Sequence, residues 1–262
     1  DATVALAEYV GGTEDGFVDL MNSYAASMGL SNTLFQNSTG LPDGNHFSSA
    51  KDLATMTSLL IDNFPETYSL YKEKYFTFNN IRQPNRNRLL WKDNSSDGVK
   101  TGHTESAGYC LISSAKRNDM RLIAVVAGAK SDKERFNDTQ RLLEYGFRFY
   151  STQEVIKKDN ALKDVDVWGG KNNLVSLGSE NNIKLTLPRT TFKNITISYD
   201  FQNNLRAPIK EGQTLGTLVI KDGEKTLHTE NLVALNDVEA KGFFGRLWAS
   251  LVLWFRGLFG LV

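Results

Sequence analysis

Apolar positions in the first half of the chain recur mostly at helical spacing. Residues 2–9 read as a helix. Phe17, Leu20, Met21, Tyr24 and Met28 then keep steps of three and four up to Gly29, a natural C-terminal stop. Ser49 followed by Asp52 reads as an N-cap with an acidic first turn, opening a helix that buries Leu53, Met56, Leu59 and Leu60 and ends before Pro65. Residues 109–114 and 122–127 are strand-like runs joined through the turn formers Asn118 and Asp119. A last helix over residues 133–145 carries Leu142 and Leu143 on its buried side.

Beyond residue 151 the period falls to two. Residues 183–187 and 195–199 alternate apolar and polar side chains, as half-buried strands must. Residues 218–220 and 226–227 flank Lys221-Asp222-Gly223-Glu224, a hairpin signal because Gly supplies the positive φ of a tight turn. The pattern predicts a small all-β sandwich over residues 151–237, following an α+β domain over residues 1–150. Residues 238–262 change character again. Phe243, Leu247, Trp248 and Leu251 share one broad helical face with Trp254, Phe255, Leu258 and Phe259, while Arg246, Ser250 and Arg256 lie opposite. Aromatics on one side and cations on the other predict an amphipathic helix lying in a membrane interface. A spanning helix would bury Arg256 at a cost of a few kcal/mol.

Composition narrows the function classes. Of the 262 residues 40% are hydrophobic and 23% charged, which excludes a fully disordered chain. Thirty Lys and Arg balance thirty Asp and Glu, so nothing favours a nucleic acid as partner. A single cysteine, Cys110, excludes an intramolecular disulfide framework, and His46, His103 and His228 lack ligand spacing, so neither a metal nor a cofactor is expected. The chain opens Asp1-Ala2-Thr3, without an initiator methionine or a leader, and is expected to be processed or truncated there.

The candidate chemistry lies in Lys100-Thr101-Gly102-His103-Thr104. Lys-Thr-Gly is the third signature of penicillin-recognising serine enzymes. A fixed cation and a hydroxyl can hold a substrate's terminal carboxylate, and Gly leaves the strand open to close backbone approach. Four further segments occur with it in a fixed order: Phe17-Val18-Asp19-Leu20-Met21-Asn22, Tyr71-Lys72-Glu73-Lys74, Arg82-Gln83-Pro84-Asn85-Arg86-Asn87 and Tyr145-Gly146-Phe147-Arg148-Phe149. Together they resemble the D-alanyl-D-alanine carboxypeptidases of the penicillin-binding protein 5 and 6 type, over essentially the whole chain.

The resemblance implies a penicillin-binding serine peptidase (β-lactamase-like) domain, an all-β second domain, and a C-terminal helix holding the protein peripherally on the periplasmic face of the bacterial inner membrane. It implies peptidoglycan stem peptides as substrate and β-lactam antibiotics as inhibitors of the complete enzyme. Lys100, Thr101, Gly102 and His103 are similar to the family's third motif, and Arg86 and Arg135 to arginines near its cleft. For either arginine the residues alone also allow a solvated surface charge. The family's nucleophile motif, Ser-x-x-Lys, and its second motif, Ser-x-Asn, are expected upstream of Asp1, leaving no catalytic serine in this chain. Two internal matches, Ser48-Ser49-Ala50-Lys51 and Ser113-Ser114-Ala115-Lys116, read instead as a helix cap and a strand. A non-catalytic membrane-peripheral binding module with a remnant peptidase fold is the alternative.

Overall fold

Helical spacing near the start of the chain yields α1 (Ala2–Gly11) and α2 (Glu14–Ser27) in the computed structural model, which describes residues 2–202 and 204–242. The Thr13 hydroxyl accepts the Gly16 N–H at 3.0 Å and caps α2. At the other end Gly29 takes a φ of 72°, its N–H bonding Ala26 O at 3.0 Å while Leu30 N–H bonds Ala25 O at 2.9 Å. That is a Schellman stop, as the sequence predicts. The buried side differs from the expected one. It runs through Val18 and Ala25, whereas Leu20 and Tyr24 are exposed. Two positions from Val18 lie about 200° around the wheel, so Leu20 must face away once Val18 faces in.

Ser49 caps α3 (Ala50–Asn63), its hydroxyl accepting the Asp52 N–H at 3.1 Å. The fully buried positions of α3 are Asp52 and Thr57, while Leu53, Met56, Leu59 and Leu60 are half-buried. Both polar groups are satisfied. Asp52 Oδ2 accepts Asn32 N–H and the Thr33 hydroxyl, each at 2.8 Å, and the Thr57 hydroxyl donates to Leu53 O at 2.7 Å. Pro65 then opens the short α4 (Pro65–Tyr68), where a missing N–H costs nothing.

A hairpin follows that the periodicity does not predict, β1 (Tyr75–Phe78) with β2 (Ile81–Pro84). Asn79 and Asn80, with φ of 47° and 60°, form its two-residue loop, the left-handed pair that matches strand twist. After the single turn α5 (Leu89–Lys92) come β3 (Ser96–Thr104), β4 (Gly108–Arg117) and β5 (Met120–Ala129), an antiparallel sheet in that order. Helix α6 (Asp132–Phe149) packs on β4 and β5, and α3 packs on β5. Its buried stripe is Arg135, Thr139, Leu143 and Phe147, one residue every four. Leu142 stands about 100° off that stripe and is 49% exposed, against expectation.

The first compact unit ends at Phe149 and a second begins at Tyr150. The second comprises β6 (Tyr150–Ile156), β7 (Lys163–Trp168), β8 (Leu174–Ser179), β9 (Ile183–Pro188), β10 (Ile195–Phe201), β11 (Leu205–Arg206), β12 (Thr214–Asp222) and β13 (Lys225–Ala234). They form a six-stranded sheet, β10-β12-β13-β8-β7-β11, and a separate β6-β9 pair. Val175, Leu177, Leu218, Ile220 and Leu232 are wholly buried in its core. Strand β10 keeps the expected alternation throughout, and Gly223 turns β12 into β13 at φ 57°. The proposed amphipathic helix, with its face from Phe243 to Phe259, lies outside the described residues.

Candidate active site

Strand β3 carries Lys100, Thr101, Gly102 and His103, and its first half is locked by a buried polar network. Asn87, 1% exposed, donates its amide to Gly98 O at 2.8 Å and accepts Leu89 N–H at 3.2 Å. The Ser113 hydroxyl donates to the same Gly98 carbonyl at 3.0 Å. One residue earlier, Asp97 accepts the Tyr68 hydroxyl at 2.8 Å and pairs with Arg121 at 2.8 Å. Burial pushes the Tyr68 hydroxyl up, well above its ordinary value, and its hydrogen bond to the Asp97 carboxylate adds to this. A Cβ at Gly98 would lie 2.6 Å from the Tyr68 oxygen, so any side chain here forces Tyr68 or the strand to shift.

Within the three-stranded sheet β3 is an edge strand, and its Lys-Thr-Gly segment lines a cleft of about 370 Å³. Ile112 and Val125 contribute apolar lining, and Asn37, Ser38, Thr39, Gly40 and His46 contribute a polar part. This loop is a site element that the sequence reading missed. Asn37 Oδ1 organises it, accepting the N–H groups of Thr39, Gly40 and Leu41 at 3.2, 2.8 and 3.1 Å. Glu14 fastens it to α2 by accepting the Ser38 hydroxyl at 2.7 Å and its N–H at 3.1 Å. These bonds, the hydroxyl's foremost, hold the Glu14 carboxyl below its ordinary value. The run Asn37-Ser38-Thr39-Gly40 is a turn signal that could have revealed it.

Lys100 is exposed as a residue, and its ammonium donates to Thr101 O. Burial around the ammonium lowers its pKa, and the like charges of Arg86 and Arg135 lower it further. The three cations therefore share one neighbourhood. Arg86 is exposed. Arg135 is 6% exposed and is no solvated surface charge: from the first turn of α6 it donates to Gly102 O at 2.9 Å and Cys110 O at 3.3 Å, and it pairs with Asp132. Gly102 and Cys110 face each other across β3 and β4, so Arg135 fixes the far end of the motif from beneath. His103 lies toward the outer end of β3, its ring 3.9 Å from that of Tyr109. Thr101 is buried.

Neither internal Ser-x-x-Lys match presents a nucleophile. Ser113 is wholly buried in β4, with Lys116 three positions on and so on the opposite face. Ser48 precedes the cap of α3 and shares a 2.8 Å hydrogen bond with Thr33.

Residues 1–131 match the family model described as D-alanyl-D-alanine carboxypeptidase, and residues 150–240 match that of the penicillin-binding protein 5 C-terminal domain. The chain is 46% identical to D-alanyl-D-alanine carboxypeptidase DacC of Escherichia coli over 262 residues, covering 99% of this chain and 66% of that protein. The crystal structure of penicillin-binding protein 5 from Haemophilus influenzae superposes with a TM-score of 0.77 at 40% identity, covering 91% of this chain and 70% of that one. Penicillin-binding protein D2 from Listeria monocytogenes, in its cefotaxime-bound form, superposes with a TM-score of 0.53 at 34% identity, covering 56% of this chain and 60% of that one. The chain spans about two thirds of the length of the curated relatives it matches, 66% and 65% for the first two.

Proposed function

This chain belongs to the D-alanyl-D-alanine carboxypeptidase family, and on that premise we propose that it supplies the carboxylate-binding wall of a serine peptidase acting on peptidoglycan stem peptides. The observation that carries this reading is Lys100-Thr101-Gly102 on an edge strand beside a cleft, with Arg86 and Arg135 adding positive charge. The Lys100 ammonium and Thr101 beside an apolar lining suit a small carboxylate-terminated substrate, while Arg135 holds the strand that carries them.

In the reaction a serine oxygen attacks the penultimate D-Ala carbonyl. The new Ser O–acyl bond replaces the peptide C–N bond, and the serine proton leaves on the amine of the departing D-Ala. Water then cleaves the ester. Lys100 and Thr101 hold the carboxylate of the departing residue, and backbone amides stabilise the oxyanion. The family resemblance implies that the serine and its lysine belong to a Ser-x-x-Lys segment, and neither internal match, Ser48 nor Ser113, has the geometry to serve as one. A β-lactam would place its own carboxylate at Lys100 and Thr101, in the manner of a substrate. The protein acts at the periplasmic face of the inner membrane, held peripherally by residues 238–262. Supporting this is the tail's segregation of aromatics from cations. The relatives named above are carboxypeptidases or penicillin-binding proteins, which does not favour the non-catalytic module.

The test is Lys100→Ala in an enzyme carrying the Ser-x-x-Lys segment. A charge-assisted hydrogen bond contributes about 1.5–3 kcal/mol, so turnover of a D-Ala-D-Ala peptide should fall at least about tenfold. Wild-type turnover would make the Lys-Thr-Gly match a coincidence.

A further inference from the structure

The hairpin of β1 and β2 has two unlike faces. On one, Tyr75 packs edge-on against Trp91 with ring centroids 5.9 Å apart, and the Arg82 guanidinium lies 3.6 Å above the Tyr75 ring. That face touches the rest of the first unit through this ring contact, and all residues of both strands are exposed. Alternation turns Phe76 and Phe78 to the opposite face, where their rings lie parallel within 6° at 6.5 Å between centroids. Cross-strand pairing adds Gln83 beside Phe76 and Ile81 beside Phe78. Phe76, Phe78 and Ile81 are 67%, 61% and 63% exposed. An apolar face so open marks a contact surface.

Charge and polarity narrow the partner. Residues 72–88 hold five basic side chains and one acidic; Arg88 pairs with Asp132 at 3.0 Å and Arg82 lies over Tyr75 on the other face, which leaves Lys72, Lys74 and Arg86. The partner is therefore anionic. It is also rich in hydroxyls. Gln83 stands among the apolar side chains, and the tip is Asn79-Asn80; an acyl layer would strip water from these amides without replacing their hydrogen bonds. Sugar hydroxyls would replace them, and the slightly positive C–H faces of a sugar ring meet the negative face of an aromatic ring. Arg86 follows β2 by two residues and already acts on Lys100, so a polymer lying along the hairpin reaches the cleft.

We propose that the Phe76, Phe78, Ile81 and Gln83 face of this hairpin docks the glycan of the polymer that carries the stem peptides, with Lys72, Lys74 and Arg86 meeting its carboxylates. This inference rests on the function proposed above and deepens it. The hairpin selects polymer-borne peptides over free ones.

The full chain is sedimented with purified cell-wall polymer stripped of protein and lipid, and separately with anionic phospholipid vesicles. Phe76→Ala with Phe78→Ala should weaken polymer binding at least about tenfold at every salt concentration, with an unchanged thermal transition. Lys72→Gln with Lys74→Gln, which leaves the rings in place, should weaken it at low salt and flatten its salt dependence. Unchanged polymer binding in both variants overturns the proposal. Loss of vesicle binding with polymer binding intact also overturns it, and assigns the face to lipid. In the enzyme that carries the nucleophile, the hairpin variants should turn over a small soluble peptide normally, whereas Lys100→Ala should not. Failure of that second contrast sinks the reading of β3. Failure of the polymer result sinks only the docking face.

Discussion

Lys100 works against the fold that holds it. Burial and the charges of Arg86 and Arg135 depress its pKa below the free value of 10.5, so the folded state binds fewer protons than the unfolded state between those two values. Stability therefore rises with pH through the depressed value, and at neutral pH the charged ammonium is a cost. Lys100→Met should raise the denaturation midpoint while removing carboxylate recognition. In the complete enzyme kcat/KM should fall on the alkaline side at a pH below 10.5, as the ammonium deprotonates. Arg86→Gln removes one like charge and should move that limb upward, which a pH–rate profile would register. An unmoved limb would mean that Arg86 does not act on Lys100. The Lys-Thr-Gly chemistry was legible in the sequence because it is contiguous. The roles of Arg135 and Asn87 were not, since their partners, Gly102 O and Gly98 O, lie 33 and 11 residues away and meet them only in the folded chain.

At the scale of elements, β3 is positioned by its ladder with β4 and by what grips its two ends. Asn87, Ser113 and Tyr68 hold the first half and Arg135 holds the second. Gly98 is the tightest point. Gly98→Ala drives a methyl into the Tyr68 hydroxyl and should cost about 1–3 kcal/mol, the usual range for overpacking. Tyr68→Phe removes the clashing oxygen but also its bond to Asp97. Combined, the two substitutions should cost less than their sum in urea denaturation, and strict additivity would show that the clash is relieved elsewhere. Caps and turns were legible at this scale: Ser49, Gly29 and Gly223 signal locally. Buried faces were less so. The apolar spacing on α2 includes Leu20 and Tyr24, which the fold leaves exposed, and on α3 the buried places go to Asp52 and Thr57 because neighbouring donors and acceptors satisfy them.

For the whole molecule, period alone separates the two units, since strand alternation and helical spacing are both local. The order of the six-stranded sheet is not local. Strand β13 pairs with β8 across some fifty residues, as Leu232 with Ser179, and β11 joins β7 in parallel, which no alternation within one strand can encode. The tail is the opposite case: it lies outside the described residues, and its composition alone carries the proposal made for it. Two tryptophans and three phenylalanines share its apolar arc, and burying each large side chain contributes about 1.5–3 kcal/mol. Ordering the segment cancels part of that gain. Lys241, Arg246 and Arg256 add roughly 1 kcal/mol each near an anionic surface. The balance favours reversible binding that is stronger on anionic lipid, and high salt should loosen it only partly because the aromatic arc carries no charge. Deleting residues 242–262 should abolish sedimentation with anionic vesicles. It should leave the β12–β13 hairpin and its core intact, because Leu218, Ile220 and Leu232 pack with Val175, Leu177 and Ile183 of the same unit. A truncated chain that still sediments as fully as the intact one places the anchor elsewhere. An intact chain that resists carbonate extraction makes the tail a spanning helix, with Arg256 accommodated inside the bilayer.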